Sequence, residues 1–252
     1  MGLDMNIYKR THIGGYGGKK VKIIAESEDG EQVEIEQGQY GMTLEKDVLY
    51  LRKANQIHNW FVEEKGGGID ECQNIYLDID DIKTLLNLCK DVKAKAKLGR
   101  GLIAGGTMGS GRENHKVVLV KPDSDDISKI TKFEIKETID SDKLKEGDWF
   151  LDTETSNPPF FYDDKQAYCR KTSDSFCQIY TFGKTITNPQ EIAEMLPTQE
   201  GFFFGSTDYD EYYLQDIDCA IEQLENIVKD YEKDIADGYG TYDIDYVYRA
   251  SW

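Results

Sequence analysis

The sequence predicts an α+β fold, in which helices pack on a mixed or antiparallel sheet core that carries a β-rich insertion. Three observations lead there. Apolar residues recur at three- and four-residue spacing around 44–64, 80–98 and 214–231; short β-like runs fill 99–194; and strand-like segments stand at both ends. Residues 1–98 and 195–252 therefore read as an α+β core, and 99–194 as a β-rich insertion or subdomain.

Taken in order, MNIYK reads as a short strand, followed by the glycine-rich loop GGYGG. VKIIAES and EQVEIEQ flank Asp29-Gly30, a hairpin signal because glycine accepts the positive φ of a tight turn. A helix is expected from Leu44 to Glu64, with Val48, Leu51, Ala54, His58, Phe61 and Val62 along one face. Gly66, Gly67 and Gly68 end it, since glycine takes the left-handed conformation that closes a helix. NIYLDI reads as a strand. Asp80 is expected to cap the helix that follows, whose apolar stripe is Ile82, Leu85, Leu86, Cys89 and Val92. Its end, KAKAKLGR, sets cations against the negative end of the helix dipole.

From Gly99 the texture changes. GRGLIAGGTMGSGREN reads as a glycine-rich loop leading into KVVLVKP, KITKFEI, GDWFL, PFFYDD, AYCRK and FCQIYTFG, short β-like runs separated by turn residues. GFFFGS is a buried strand or turn, and DYDEYY an acidic-aromatic loop. A long helix is expected from about Leu214, striped by Ile217, Ala220, Ile221, Leu224, Ile227, Val228 and Tyr231. DIDYVYRASW alternates as a last strand that pairs into the main sheet.

Composition narrows the function classes. A chain of 252 residues is long enough to bury a real core. Its 48 acidic and 30 basic residues leave a net charge of −18, which repels a nucleic-acid backbone and argues against direct nucleic-acid binding. The cysteines (Cys72, Cys89, Cys169, Cys177, Cys219) form no C-x-x-C pair, and His12, His58 and His115 are scattered, so no zinc site is expected. Cys89 and Cys219 are expected as small buried hydrophobes on helical faces, and all five as reduced thiols in a cytoplasm. MGLDMNIYKR turns charged too early for a signal peptide, and Asn6 stands where a myristoylation signal needs Ser or Thr. No apolar run has the length of a membrane span.

MGLDMNIYKR, YLRKANQIHNWFVE, LPTQEGFFFGSTDYDEYY and the terminal YRASW together resemble a family of uncharacterised phage and prophage proteins. The resemblance covers about 1–15, 48–97 and 195–252 and leaves 99–194 as an insertion. It implies a source and a core fold, with a cytoplasmic location in an infected bacterial host. It implies no reaction.

Four segments are candidates for a site. GGTMGSGRE has the glycine spacing of a phosphate loop, but Arg112-Glu113 replace its Lys-Ser/Thr pair, and a strand follows where a helix N-terminus is needed. A loop is the simpler reading, with Arg100, Arg112, His115 and Lys116 as a looser anion clamp. In RKANQIHNW, a helix sets Arg52, Asn55 and Asn59 on one face, with His58 nearer the apolar side and Trp60 on another flank. These residues would present a guanidinium, amides and an aromatic edge to a planar ligand; the rival reading has Asn55 and His58 tying the helix to neighbouring loops. In GSTDYDEYY, Asp208, Asp210 and Glu211 offer hard oxygen ligands for a metal-dependent hydrolase. The preferred alternative makes Ser206, Thr207 or Asp208 the cap of the last helix. Finally, residues 201–252 hold 13 acids, 3 bases and eight of the 16 tyrosines, a surface suited to a basic partner or simply a solvated face.

No catalytic signature, metal or cofactor emerges. The leading expectation is a non-catalytic phage accessory protein that neutralises a host defence component. Its ligand would be a host-derived small molecule, such as a nucleotide-type signal, or a host defence protein. A metal-dependent hydrolase of phosphate-containing small molecules and a structural or regulatory phage protein are the alternatives. A homo-oligomer is compatible with the sequence.

Overall fold

The structure, a computed structural model, describes residues 2–14, 19–35, 41–109, 114–152, 161–162 and 165–252. The first half of the chain runs β1 (Asp4–Ile13), β2 (Ile23–Glu26), β3 (Gln32–Ile35), β4 (Met42–Arg52), α1 (Asn55–Trp60), β5 (Ile75–Leu77), α2 (Ile79–Lys95) and β6 (Leu98–Gly109). The second half runs β7 (Lys116–Pro122), β8 (Phe133–Asp140), β9 (Trp149–Asp152), β10 (Phe161–Tyr162), β11 (Lys165–Lys171), β12 (Phe176–Ile186), α3 (Pro189–Met195), α4 (Glu211–Ala236) and β13 (Ile244–Ser251). The described pairings are antiparallel, and the architecture is α+β.

The chain divides into two units. One holds Met1–Lys95, Gln190–Thr207 and Leu214–Trp252; the other holds Ala96–Pro189 and Asp208–Tyr213.

The first unit is built on a four-stranded sheet in the order β4-β1-β13-β5. Both chain ends meet at its centre, where Asp4–Thr11 pairs with Ile244–Ser251. Alternation on β1 buries Met5 and Ile7, and β13 adds Tyr246 and Tyr248. The helices supply Ile82, Leu85, Cys89 and Val92 from α2, and Ile217, Ala220, Leu224 and Ile227 from α4, all fully or nearly fully buried. Burial pushes the Cys89 thiol up to about 12, so it stays a neutral hydrophobe. Cys219 departs from the expectation: it lies on the exposed side of α4, one residue before the buried Ala220.

The first expected helix is half strand. Residues 44–52 belong to β4 because they also fit period two, with Leu49 and Leu51 buried and Tyr50 and Arg52 exposed. Pairing Met5 with Leu51 and Ile7 with Leu49 gives that stretch a ladder partner. Lys53, at φ 61°, then turns the chain, and α1 starts at Asn55. A π-helical turn, Phe61–Lys65, continues α1 and closes on Gly66 N–H donating to Phe61 O at 2.8 Å; Gly67 and Gly68 take positive φ, as expected. The Asp29-Gly30 hairpin is present as β2–β3, with Gly30 at φ 85°.

The caps fall one or two residues from where periodicity put them. Asp78, not Asp80, caps α2: its Oδ1 accepts from the N–H groups of Asp80 and Asp81, both at 2.9 Å, while Asp81 Oδ2 accepts from Asp78 N–H at 3.0 Å. Asp210, not Ser206, Thr207 or Asp208, caps α4, because the helix begins at Glu211.

The second unit is a twisted sheet in the order β6-β12-β11-β9-β7-β8, with β10 added on β11. Here GRGLIAGGTMG is not a loop but, with Leu98 before it, the 12-residue strand β6, paired with β12 from Leu98↔Ile186 to Gly109↔Phe176. Its glycines serve close approach: a Cβ on Gly101 would collide with Thr185 on the neighbouring strand. Alternation gives this sheet two apolar faces. Val117, Phe150, Cys169, Cys177 and Ile179 form one; Leu102, Val120, Ile130, Trp149 and Leu151, flanked by Phe133, Tyr168, Tyr180 and Phe182, form the other. At the base of the sheet the chain is clasped, with Thr187 N–H donating to Lys97 O at 2.7 Å and Lys97 N–H donating to Asn188 Oδ1 at 3.0 Å.

Among the described residues, no helix is long and apolar enough to cross a membrane.

Candidate ligand pocket

The strand ends of the second unit line an open-mouthed cavity of about 380 Å³. Pairing of β7 with β8 sets Lys116 opposite Asp140, which brings His115 beside Ser141 just beyond the strands. Ser141 N–H donates to His115 O at 2.8 Å, and His115 N–H donates to Ser141 Oγ at 3.1 Å. Pairing of β7 with β9 sets Val117 opposite Asp152, so Asp152 comes up beneath the His115 ring. His115 Nε2 lies 3.4 Å from Asp152 Oδ2, whose side chain is only 1 % exposed. Met108, Leu144, Phe150 and Cys177 give the apolar wall, and Asn114, Asp142, Lys171 and Asp174 give polar groups. The Lys171 ammonium donates to Leu144 O at 2.9 Å. Burial pushes the Cys177 thiol up, and the nearby Asp152 carboxylate adds to that while Lys171 opposes it.

Ser141, His115 and Asp152 invite comparison with a hydrolytic relay. The geometry favours holding over attack. Ser141 Oγ is 3.3 Å from His115 Nδ1 and as close to Asn114 Oδ1, so the imidazole does not hold this hydroxyl alone. It also accepts the backbone N–H of His115, so this hydroxyl fastens the β7–β8 end.

The residues expected on the RKANQIHNW face are mostly inside the first unit. Asn55, His58 and Trp60 are buried. Asn55 Nδ2 donates to Phe204 O at 3.2 Å and Ser206 O at 2.7 Å, while its Oδ1 accepts from Gln199 N–H at 3.1 Å. His58 Nδ1 meets Tyr248 Oη at 2.6 Å, and Nε2 meets both oxygens of Asp70 at 3.1 Å. Burial lowers the His58 pKa, more than the Asp70 carboxylate raises it, and burial lifts Tyr248 well above the ordinary phenol value. The consistent state is a neutral ring that accepts from Tyr248 and donates to Asp70. The small cleft beside this network holds about 10 Å³, room for a water and not for a planar ligand. Asn55 and His58 are thus ties, as the rival reading had it. Asn59 Nδ2 donates to Pro197 O at 3.3 Å, and Arg52 is exposed, 3.8 Å from Asp4.

The anion clamp does not assemble from the described residues. The Arg100 guanidinium lies over the Phe182 ring at 4.3 Å, and Lys116 pairs with Asp140 at 2.5 Å. Arg112 lies outside the described residues. Of that group, His115 reaches the cavity.

The acidic segment is largely occupied by structure. Asp210 accepts from Tyr212 N–H at 2.8 Å and Tyr213 N–H at 3.1 Å, and burial raises its pKa, with Asp208 and Glu211 adding to the rise. Thr207 O accepts from Thr198 Oγ1 at 3.3 Å, and Ser206 O from Asn55. Along α4, Asp218 pairs with Lys93 at 2.6 Å and Glu225 with Lys90 at 2.8 Å, and Asp230 and Asp234 both hold Lys9. Much of the acidic surface expected to meet a basic partner is therefore met internally.

Sequence reading touched this pocket at His115 and at Met108 and Gly109 of GGTMGSGRE. Ser141, Asp142, Phe150, Asp152, Lys171 and Asp174 are spread over separate strands and turns, and only strand pairing brings them together. No family model, curated protein or solved structure matches the chain.

Proposed function

We propose that the protein is a phage-type accessory protein that neutralises a host defence component by holding a small host-derived molecule in the cavity of its β-rich unit, without turning it over. One observation carries this reading: a cavity of about 380 Å³, lined from six strand ends and turns by both apolar and polar side chains. The phage-type resemblance supplies the setting. Capture of a host protein by the acidic end has less support, since Asp218, Glu225, Asp230 and Asp234 of α4 are paired with lysines of the same unit. A hydrolase built on Asp208, Asp210 and Glu211 also has less support, because Asp210 is spent on the helix cap.

The test is extraction. Protein purified from host cells is denatured, and the released small molecules are identified by mass spectrometry. The same is done for Met108→Trp, which fills the cavity. A molecule released by the wild type and missing from the variant supports capture. If nothing is released, and no fraction of a host metabolite extract raises the melting temperature, capture is wrong.

A further inference from the structure

We propose that the outer edge of β2 is a dimerisation surface: β2 of one copy pairs antiparallel with β2 of a second copy about a two-fold axis at Ile24, joining two hairpins into one four-stranded sheet. The inference concerns the first unit and stands apart from the capture reading. β2 and β3 form a two-stranded sheet of their own. Such a ribbon is marginal in water until a third strand or a packed helix completes it. Its two faces differ. On one, around Ile24, Lys22 pairs with Glu34 at 2.8 Å and Gln32 Nε2 donates to Glu26 at 3.1 Å. Ile23, Ala25, Val33 and Ile35 share the other. Ile24 is 50 % exposed and Val33 61 %. The hairpin is thus one element short of a sheet.

Two registers agree on a second copy as the missing element. The first is charge. From Lys19 to Asp29 the chain reads KKVKIIAESED, basic before Ile24 and acidic after it. Antiparallel pairing about Ile24 therefore sets Lys22 opposite Glu26 of the second copy, Lys20 opposite Glu28, and Ile23 opposite Ala25, each pair made twice. Lys22 can keep Glu34 as well, since an ammonium has three donors. The second register is the backbone. Ser27 N–H donates to Glu31 O at 2.9 Å, which makes Ser27 and Glu31 a hydrogen-bonded pair. Alternation then turns the N–H and C=O groups of Ile23 and Ala25 towards β3, and those of Lys22, Ile24 and Glu26 to the outer edge. Among the described residues nothing bonds them there. These are the residues that the charge register joins across the axis, Ile24 with Ile24 and Lys22 with Glu26. A slip of one residue would break both matches. At a net charge of −18 two copies repel in bulk, so a lasting contact needs local matching of this kind.

The experiment is sedimentation equilibrium of the full chain. Two paired strands make a small interface and a weak dimer, so the range runs from about 5 to about 500 µM. The weight-average mass is expected to rise from one chain towards two. Lys22→Glu alone and Glu26→Lys alone each set like charges opposite one another twice, and each is expected to weaken self-association at least about ten-fold. Mixed, the two single variants carry complementary edges and are expected to associate as tightly as the wild type, which a hairpin merely damaged by substitution would not do. Ile24→Pro removes the N–H on the axis without touching a β2–β3 bond, and is expected to leave the chain monomeric. A wild type that stays monomeric throughout the range, single variants that self-associate as the wild type does, a mixture that fails to associate, or a dimer that survives Ile24→Pro each overturns the assignment.

Discussion

His58 is held neutral between Tyr248 and Asp70, and this has a consequence for stability. Its folded pKa lies below the unfolded value near 6.5, so the unfolded chain binds more protons as pH falls through 6.5. Stability is therefore expected to drop on acidification from about pH 7 to pH 5, before carboxylates titrate. Urea midpoints at the two pH values measure it, and the drop should vanish in His58→Gln; a drop of the same size in that variant would move the cause elsewhere. Lys9 makes the opposite kind of site. It is buried, and Asp230 and Asp234 raise its pKa despite the burial that opposes them. That contribution is complete below the unfolded value of about 10.5 and fades only as pH rises through the higher folded value. Lys9→Met should cost about 3 kcal/mol in chemical denaturation, mainly by stranding two acids, and adding Asp234→Asn should recover part of it. His58 was visible in the sequence as a helical histidine near the apolar face. Its partners were not, since Asp70 and Tyr248 stand in a loop and in the last strand.

Periodicity read the helices well where one pattern stood alone. The stripe of α2 is buried at every expected position, and α4 buries Ile217, Ala220, Leu224 and Ile227. It misled where two patterns overlapped: TLEKDVLYLR satisfies both spacings, and strand pairing with β1 decided between them. Glycine misled in GRGLIAGGTMG, because its role there is close packing against a neighbouring strand and not turning. The caps were found as residue types and missed by position. Asp78→Ala should therefore destabilise the protein by about 1 kcal/mol, and Asp80→Ala by much less, in matched thermal or urea melts. Equal losses would show that the Asp78 carboxylate is not what holds the start of α2.

At the scale of the molecule, the α+β class was legible because it depends on counts of elements and their patterns, which survive a misplaced boundary. The pocket was not legible, because it exists only after six segments of one sheet have paired. The first unit has its own sheet and its own buried core, closed by the pairing of the two chain ends. A chain in which 98–186 is replaced by a short Gly-Ser turn between Lys97 and Thr187 is thus expected to keep a cooperative thermal transition and the His58-dependent acid response. Loss of cooperativity would mean that the first unit needs the second to fold. The clasp that makes this join possible also bears on ancestry. Where a segment leaves and returns through adjacent hydrogen-bonded residues, a single recombination event can add or remove it without threading the host fold apart. Genomes that exchange fragments freely could then trade the β-rich unit as a cassette, with the protein around it remaining a constant chassis.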